Sequence, residues 1–198
     1  DVDITDTEAF RKQQKGLAEQ NGYKLTLLPI IMKAVTHCLK QFPTINASLD
    51  VAQNQIIIKK HYHIGLAVDT ENGLVVVVIK DVDQKSMMQI AQEVQLLAEK
   101  ARNGKLTPAD TQGGTFTISN LGGIGGTGFT PIINAPEVAI LGVSKAKIKP
   151  TYIEEAFKPR LIMPISFSYD HRVIDGALAV KFTTVLAKSL HDIRHLIL

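Results

Sequence analysis

The sequence predicts an α/β fold of the α+β kind, in which helices pack on one mixed β-sheet. Three observations lead to this fold class: about seven strand-like segments, a hairpin turn at Glu71-Asn72-Gly73 between two of them, and a few segments with strong helical periodicity. Hairpins add antiparallel pairs to a sheet, and amphipathic helices bury their apolar faces against it. Because no repeat or internal linker is visible, the 198 residues fit one domain, residues 1–198.

Four helices are predicted from apolar residues that recur every three or four positions. Thr5 and Glu8 have capping-box spacing, Ser86 is a typical N-cap residue, and Gly104 is typical of a helix end. The predicted helices run, in chain order, from Thr5 to about Asn21, from near Leu28 to Phe42-Pro43, from Ser86 to Gly104, and from Asp175-Gly176 to the C-terminus.

The strands are predicted from short alternating or apolar segments between these helices. In chain order they are Val2 to Thr5, Ile56 to Lys60, Ile64 to Val68, Leu74 to Ile79, Thr115 to Ser119, Val138 to Val143, and two strands around a turn near Glu154-Glu155, the second of which ends at His171.

Charge and composition indicate an ordinary globular protein. The 22 basic and 19 acidic residues are interspersed and give a net charge of +3, which does not indicate a nucleic-acid or membrane-surface partner. No apolar run is long enough to span a bilayer. Cys38 is the only cysteine, so no internal disulfide is possible, and its position on the apolar side of a helix predicts core packing.

The glycine-rich loop contains a pattern that imitates a dinucleotide site. Gly123 to Gly128 matches Gly-x-Gly-x-x-Gly after a strand, but such a site needs a helix directly afterwards to hold the pyrophosphate. Pro131 and Pro136 follow instead and argue against that helix. We therefore expect these glycines to let the loop approach a ligand or a neighbouring chain closely. Serine-hydrolase and Walker-type phosphate motifs are absent.

Two histidine pairs have spacings that a metal site can use. His61 and His63 lie on one face of a strand, and His191 and His195 have the i, i+4 spacing of a helical zinc pair. Neither pair has a nearby Cys, Asp or Glu in the pattern that would complete a ligand set. The sequence therefore predicts no metal site.

His171 is the strongest candidate for acid–base chemistry. It follows an alternating strand that begins at Ile165 and precedes the helix that starts at Asp175-Gly176, so its backbone is held on both sides. Asp170 adjoins it but points the other way on an extended backbone, which excludes it as a triad member. Ser119, by its residue type alone, is an ordinary hydroxyl at a strand end.

Several segments resemble the dihydrolipoamide acyltransferases and chloramphenicol acetyltransferase. The segment from Asp170 to Gly176 contains the pattern His-x-x-x-Asp-Gly of that family, and the similar segments cover most of the chain in order and spacing. They are His63 to Thr70, Gly114 to Gly122, Thr130 to Gly142 and Asp170 to Gly176. The resemblance implies a two-layer sandwich like that of chloramphenicol acetyltransferase and the activity of an acyltransferase.

The resemblance also implies roles for five residues. His171 would be the general base, Ser119 would donate a hydrogen bond to the oxyanion, and Asp175 would position the site. Phe129 would line the lipoyl side of the substrate channel. Arg11 would lie at the substrate-binding site as a charge partner of Asp175.

Assembly and substrates follow from the same resemblance. The family places its active site between adjacent subunits of a trimer, so His171 of one chain would face Ser119 of the next. Coenzyme A and a lipoyl group carried on a separate domain would enter from opposite ends, without a metal. Trimers would form a cubic or dodecahedral core that binds pyruvate dehydrogenase and dihydrolipoamide dehydrogenase, in the cytoplasm of a bacterium or the mitochondrial matrix of a eukaryote.

The loops Ile-Ser-Asn and Asn-Ala-Pro-Glu-Val are similar to those of the acetyl-transferring members. A succinyl- or branched-chain-transferring relative, an assembly-only core domain and a stand-alone acetyltransferase for small hydroxyl compounds remain alternatives. Two departures from the family are visible. The chain has Val76-Val77-Val78 where the family usually has a proline, and it starts at Asp1 without the helix and strand that precede this point in relatives. We therefore expect an N-terminally shortened piece.

Overall fold

A computed structural model describes residues 1–196 of the chain. The helices of this part are α1 (Thr5–Gln20), α2 (Leu27–Gln41), α3 (Met87–Arg102), α4 (Pro108–Thr111) and α5 (Gly176–His191). Short 3-10 helices lie at Pro43–Ile45 and Ile193–Leu196. Within residues 1–196, no helix has the length and apolar character that crossing a bilayer requires.

The strands are β1 (Val2–Asp3), β2 (Ala47–Asp50), β3 (Gln55–Ile58), β4 (Ile64–Thr70), β5 (Gly73–Ile79), β6 (Phe116–Asn120), β7 (Ala139–Val143), β8 (Lys147–Ile153), β9 (Ala156–Met163) and β10 (Ile165–Tyr169). Five of them form the main sheet in the order β10-β7-β6-β4-β5. The pairs β4–β6 and β6–β7 are parallel, whereas β5 and β10 pair antiparallel to their neighbours. The predicted mixed sheet, with the β4–β5 hairpin turn at residues 71–73, is confirmed.

The two faces of the main sheet carry different side chains. On one face, large buried side chains pack against the helices. Phe182 of α5 stacks there on Phe167 of β10, with ring centroids 4.9 Å apart. This apolar face includes Ile64, Leu66, Val77, Ile79, Phe116, Ile118, Leu141 and Val143. The centre of the opposite face is small, with Gly65, Thr117, Ser119 and Gly142. Small side chains there let the loop of residues 121–138 lie close to the sheet.

Cys38 belongs to the core, as the sequence predicts. Its side chain is fully buried in α2, and burial raises the pKa of its thiol to about 12.

The predicted last strand is in fact two strands. β9 ends at Met163 and pairs with β1 and β8 in a second sheet, whereas β10 starts at Ile165 and pairs with β7. Pro164 separates them, because it has no N–H to donate to a ladder. Its carbonyl accepts a hydrogen bond from the Ser144 N–H at 3.0 Å, which fixes the crossing from one sheet to the other.

The capping box predicted at Thr5 and Glu8 is wrong. The Thr5 hydroxyl donates to Asp3 Oδ1 at 2.6 Å and accepts from the Leu161 N–H at 2.8 Å. The Glu8 carboxylate instead binds the Arg11 guanidinium, at 2.7 and 2.8 Å. Thr5 therefore ties the start of α1 to β9, a long-range contact that the local pattern does not contain.

Other boundaries follow the sequence more closely. Ser86 and Gln89 make both bonds of a capping box at the start of α3, and Gly104 follows its end with φ +64. Strand β2 and helix α4 are additional elements that we did not predict; both are four residues long, too short for periodicity to show. The last helix stops at His191, and residues 197–198 lie outside the described residues.

Candidate active site

His171 lies in a tight turn between β10 and α5. The turn is fixed by backbone bonds from the Asp170 N–H to the Val138 carbonyl at 2.8 Å and from the Val173 N–H to the Asp170 carbonyl at 3.0 Å. The exposed His171 ring lies 5.7 Å from the Tyr169 ring, centroid to centroid. It borders a cavity of about 530 Å3 that we call the His171 cavity. A ring held on a braced turn beside an open cavity is suitable for proton transfer.

The hydrogen-bond partner of Asp170 is Arg172 and not His171. Its carboxylate binds the Arg172 guanidinium with contacts of 2.6 to 3.2 Å and accepts the Arg172 N–H at 3.0 Å. These hydrogen bonds lower the pKa of Asp170. The pairing agrees with its exclusion as a triad member.

Asp175 caps helix α5. Its Oδ1 accepts a hydrogen bond from the Leu178 N–H at 2.7 Å, and its carbonyl accepts the Ala179 N–H at 3.0 Å. Asp175 follows His171 by four residues, so the turn that holds His171 ends where α5 begins. Within one chain, the described hydrogen bonds of Asp175 go to the backbone of α5 and not to His171.

Ser119 lies near the end of β6 on the small-residue face of the sheet. It pairs with Gly142 of β7, and paired residues point to the same face. The Phe129 ring covers Gly142 on that face, because a Cβ atom on Gly142 would lie 2.9 Å from the Phe129 Cζ. Phe129 and Ser119 therefore border the same part of the sheet.

A single chain does not bring Ser119 and His171 together. Ser119 is level with Gly142 and hence with Ser166, whereas Tyr169 lies three residues further along β10. Strand geometry puts Ser119 roughly 14 Å from Tyr169, from a rise of about 3.3 Å per residue and a spacing of about 4.8 Å between strands. His171 follows Tyr169 by two residues, so the strand register puts no hydrogen-bond contact between Ser119 and His171 within one chain.

The expected charge pair of Arg11 with Asp175 is not present within the chain. Arg11 binds Glu8 and donates to the Leu25 carbonyl at 2.9 Å. It lines a groove of about 530 Å3 that also contains Asn120 and Gly122, next to the end of the Ser119 strand. Arg11 therefore lies on the Ser119 side of the molecule, and its guanidinium is held by a carboxylate of its own helix.

Glu137 is a candidate that sequence reasoning missed. It is only 6% exposed, and its atom Oε1 accepts a hydrogen bond from the Asn134 amide at 3.4 Å. Its atom Oε2 has no hydrogen-bond partner among residues 1–196. Burial raises the pKa of its carboxyl to about 7, although the Thr117 hydroxyl and the Asn134 amide favour the charged form. Glu137 also lines the His171 cavity. A carboxylate directly before the apolar strand Val138 to Val143 was the available signal.

The histidine pairs show no ligand set. The rings of His61 and His63 are 4.5 Å apart, and His63 Nδ1 accepts from the Asp81 N–H at 3.0 Å. His191 ends α5, whereas His195 lies in the following 3-10 helix, so the two do not share a helical face. Within residues 1–196, no group of three His, Cys, Asp or Glu side chains is placed to hold a metal ion.

Comparison with known proteins gives consistent similarities. The model of the family described as 2-oxoacid dehydrogenases acyltransferase (catalytic domain) matches residues 1–198. The dihydrolipoyllysine-residue acetyltransferase component of the pyruvate dehydrogenase complex of Pseudomonas aeruginosa is 59% identical over 196 residues, which are 99% of this chain and 36% of that protein. The corresponding Azotobacter vinelandii protein is 57% identical over 197 residues, 100% of this chain and 31% of that protein. The chain thus spans about a third of the length of these relatives.

Solved structures agree with these relatives. The structure of Azotobacter vinelandii dihydrolipoamide acetyltransferase, from work on the role of a serine, a histidine and an asparagine in its catalytic mechanism, has a TM-score of 0.98 and 56% identity. The cubic core of the pyruvate dehydrogenase multienzyme complex has a TM-score of 0.97 and 56% identity, and both cover 100% of this chain and 81% of the other. Chloramphenicol acetyltransferase, at 18% identity and a TM-score of 0.62 over 96% of this chain and 85% of its own, shares the fold.

Proposed function

Because the chain belongs to the catalytic-domain family of the 2-oxoacid dehydrogenase acyltransferases, we propose that it transfers an acetyl group between a dihydrolipoyl thiol and coenzyme A. One observation carries the proposal to the residue level. In the Azotobacter vinelandii enzyme, the studied serine precedes the studied histidine by 52 residues and the asparagine follows it by four. Ser119, His171 and Asp175 have the same separations here.

His171 is the proposed general base. An acyl group moves from one sulfur to another, so bond energies nearly balance and the barrier lies in forming a thiolate and an oxyanion. An ordinary thiol and an ordinary imidazole differ by about two pKa units, so complete proton transfer costs about 3 kcal/mol. A base held on the turn after β10 removes the proton as the sulfur attacks, which couples this cost to bond formation.

Ser119 is the proposed oxyanion donor. Its hydroxyl group would donate to the oxygen of the tetrahedral intermediate, a contact worth about 3 kcal/mol in other enzymes. Phe129 borders the same face of the sheet and would shape the apolar side of the lipoyl channel. Arg11 lines the groove beside Asn120 and would contact a substrate there, with Glu8 holding its guanidinium in place.

Two chains are needed for one site in this proposal. The roughly 14 Å between Ser119 and Tyr169 exceeds hydrogen-bond reach several times over, so His171 of one chain would meet Ser119 of the next. The solved cubic core, which this chain resembles over its full length, supports such an assembly.

Further parts of the proposal concern the whole protein. Residues 1–198 would form one catalytic domain, and the lipoyl group would be carried on a domain outside these residues, in line with the third of its relatives' length that the chain covers. The pyruvate dehydrogenase and dihydrolipoamide dehydrogenase components would bind the assembled core. Since these relatives are bacterial, the complex would work in the bacterial cytoplasm.

A thioester-exchange assay tests the function. The assembled protein is given dihydrolipoamide with acetyl-, succinyl- or branched-chain acyl-coenzyme A, and the acyl dihydrolipoamide formed is measured. Preference for acetyl supports the proposal. Preference for another acyl group supports a relative of different specificity, and no transfer with any of them leaves an assembly role.

A further inference from the structure

Two cavities meet at one short stretch of chain, residues 135–137. The His171 cavity lies on one side of it, and a second cavity of about 360 Å3 lies on the other. Ala135, Pro136 and Glu137 line both. Of these three, only Glu137 has a side chain that can gain or lose a proton. The wall of the His171 cavity therefore contains a titratable group that the proposed reaction does not use.

The Glu137 carboxyl is seated against the sheet with very little room. Its atom Oε1 lies 2.8 Å from the position that a Cβ atom on Gly114 would take, so a side chain at this position would have to displace the carboxyl. Its atom Oε2 and the Thr117 hydroxyl oxygen are both buried, and neither has a hydrogen-bond partner in the part of the chain that the structure describes. An unpaired buried polar atom is unfavourable, and a charged one is more so. A proton on Oε2 would remove the charge from this buried and tightly packed position.

The same stretch is bonded directly to the turn that holds His171. The Glu137 N–H donates to the Asn134 carbonyl at 3.0 Å, and the next carbonyl along the chain, that of Val138, accepts the Asp170 N–H at 2.8 Å. Asp170 immediately precedes His171. One peptide unit thus separates the backbone of Glu137 from the hydrogen bond that positions the histidine turn.

We propose that Glu137 is a positioning residue for His171. In its neutral form the carboxyl seats residues 134–138 on the sheet and so fixes both the wall of the His171 cavity and the Val138 bond to the turn. Ionisation of the carboxyl unseats this segment and loosens the turn. The consequence for catalysis depends on the function proposed above; the structural coupling does not.

The surroundings of Glu137 contain few charges that could offset its ionisation. The charged and titratable groups that line the two cavities with it are Lys59 and His61 on one side and Tyr169, Asp170, His171 and Arg172 on the other. Asp170 and Arg172 already bind each other. The hydrogen-bonding side chains nearest the carboxyl, Thr117 and Asn134, are neutral. Loss of the Glu137 proton therefore adds a negative charge to this wall beside neutral hydrogen-bonding side chains.

Infrared difference spectra of the assembled protein test whether the carboxyl titrates. Wild type minus Glu137→Gln should show the band of a neutral carboxylic acid at low pH that disappears with a midpoint near pH 7. Glu71→Gln, in the exposed β4–β5 turn, is the matched control and should not remove this band. Retention of the band in the Glu137→Gln protein would contradict the assignment.

Kinetics test the coupling to His171. We expect the kcat profile of the wild type to have an alkaline limb whose midpoint coincides with that of the infrared band, with KM little changed. Glu137→Gln should lose this limb and Glu71→Gln should keep it. A Glu137→Gln profile that superimposes on that of the wild type overturns the inference. If Glu137→Gln does not fold, the pH-difference infrared spectrum of the wild type alone supplies the carboxyl midpoint, and disagreement between it and the midpoint of the kcat limb overturns the inference.

Chemical modification keeps this test separate from that of the function. Diethyl pyrocarbonate modifies neutral histidine, and peptide mass spectrometry gives its rate at His171 as a function of pH. The rate should change at the midpoint of the infrared band in the wild type, and Glu137→Gln should lack this change. If the wild type transfers no acyl group, the proposed function fails, and the presence or absence of this difference still confirms or refutes the coupling.

Discussion

The ring of Phe129 covers Gly142 so closely that a Cβ atom on Gly142 would lie 2.9 Å from Cζ of the ring and 3.2 Å from Pro131 Cδ. Gly142 is the strand partner of Ser119. The contact therefore sets how near the loop of residues 121–138 approaches the proposed oxyanion donor. Glycine is needed here for the close approach of a ring.

Gly142→Ala should displace the Phe129 ring and weaken use of the lipoyl substrate. We expect KM for dihydrolipoamide to rise more than KM for acetyl-coenzyme A, since Phe129 is proposed to line the lipoyl side. Steady-state kinetics with each substrate varied in turn check this. Gly128→Ala, where the added methyl meets open space, is the control. Equal effects of both variants would argue against the contact.

His171→Ala should lower kcat by about 10²- to 10⁴-fold, the usual contribution of a general base. His171 is exposed on a turn whose bonds come from the backbone, so assembly should survive the change. Acetyl transfer and light scattering measure the two properties. His195→Ala, at an exposed position of the last 3-10 helix, should retain activity. A fully active His171→Ala protein would remove the proposed base.

Mixing two inactive chains tests whether the site is shared. Ser119→Ala should lower kcat by about 10²- to 10³-fold on its own. Co-assembly of equal amounts of Ser119→Ala and His171→Ala chains should restore about a quarter of the sites, those with His171 from one chain and Ser119 from the next. Absence of any recovery, with mixed assemblies shown by mass spectrometry, would place both groups in one chain.

Asp175→Ala should destabilise the chain by about 1 kcal/mol, because the cap of α5 is lost. Asp175→Asn keeps an oxygen acceptor for the Leu178 N–H and should unfold like the wild type. Denaturant unfolding measures both. Activity of the Asn variant should also stay near that of the wild type, since the relative has asparagine at the matching separation. A large loss with asparagine would show that the charge of Asp175 matters.

Glu137 should make the unfolding free energy depend on pH. Folding raises the pKa of this carboxyl from the ordinary 4.5 to about 7, so its contribution is fully present below about pH 4.5 and is lost as the pH rises through about 7. The difference corresponds to about 3 kcal/mol. Urea titrations across this range should show a steeper decline for the wild type than for Glu137→Gln. Parallel curves would mean that the carboxyl titrates normally.

Local chemistry explains which parts of the fold the sequence predicts. Ser86 and Gln89 satisfy each other within one turn, so the start of α3 is visible in the sequence. Thr5 has the same apparent pattern, but its hydroxyl binds Leu161, more than 150 residues away, and no local reading reveals that. Pro164 was the visible mark of the break between β9 and β10, but the second sheet that receives β9 is a long-range feature.

The same distinction between local and long-range features applies to the candidate site. His171 and Asp175 stand in one motif, and the strand, turn and helix around them follow from the sequence. The position of Ser119 relative to His171 depends on the register of β6, β7 and β10 and on a second chain, so only the family resemblance suggested their pairing. The sequence did not indicate Glu137 as a site residue, because its burial results from the way the loop folds over the sheet.

The burial of Cys38 has a consequence for the proposed chemistry. A free sulfhydryl beside an activated acetyl group would capture it and leave the protein acylated on itself. The only sulfhydryl of this chain is enclosed in the core, where its anion hardly forms at neutral pH. The thiol substrates therefore do not compete with Cys38 for the acetyl group.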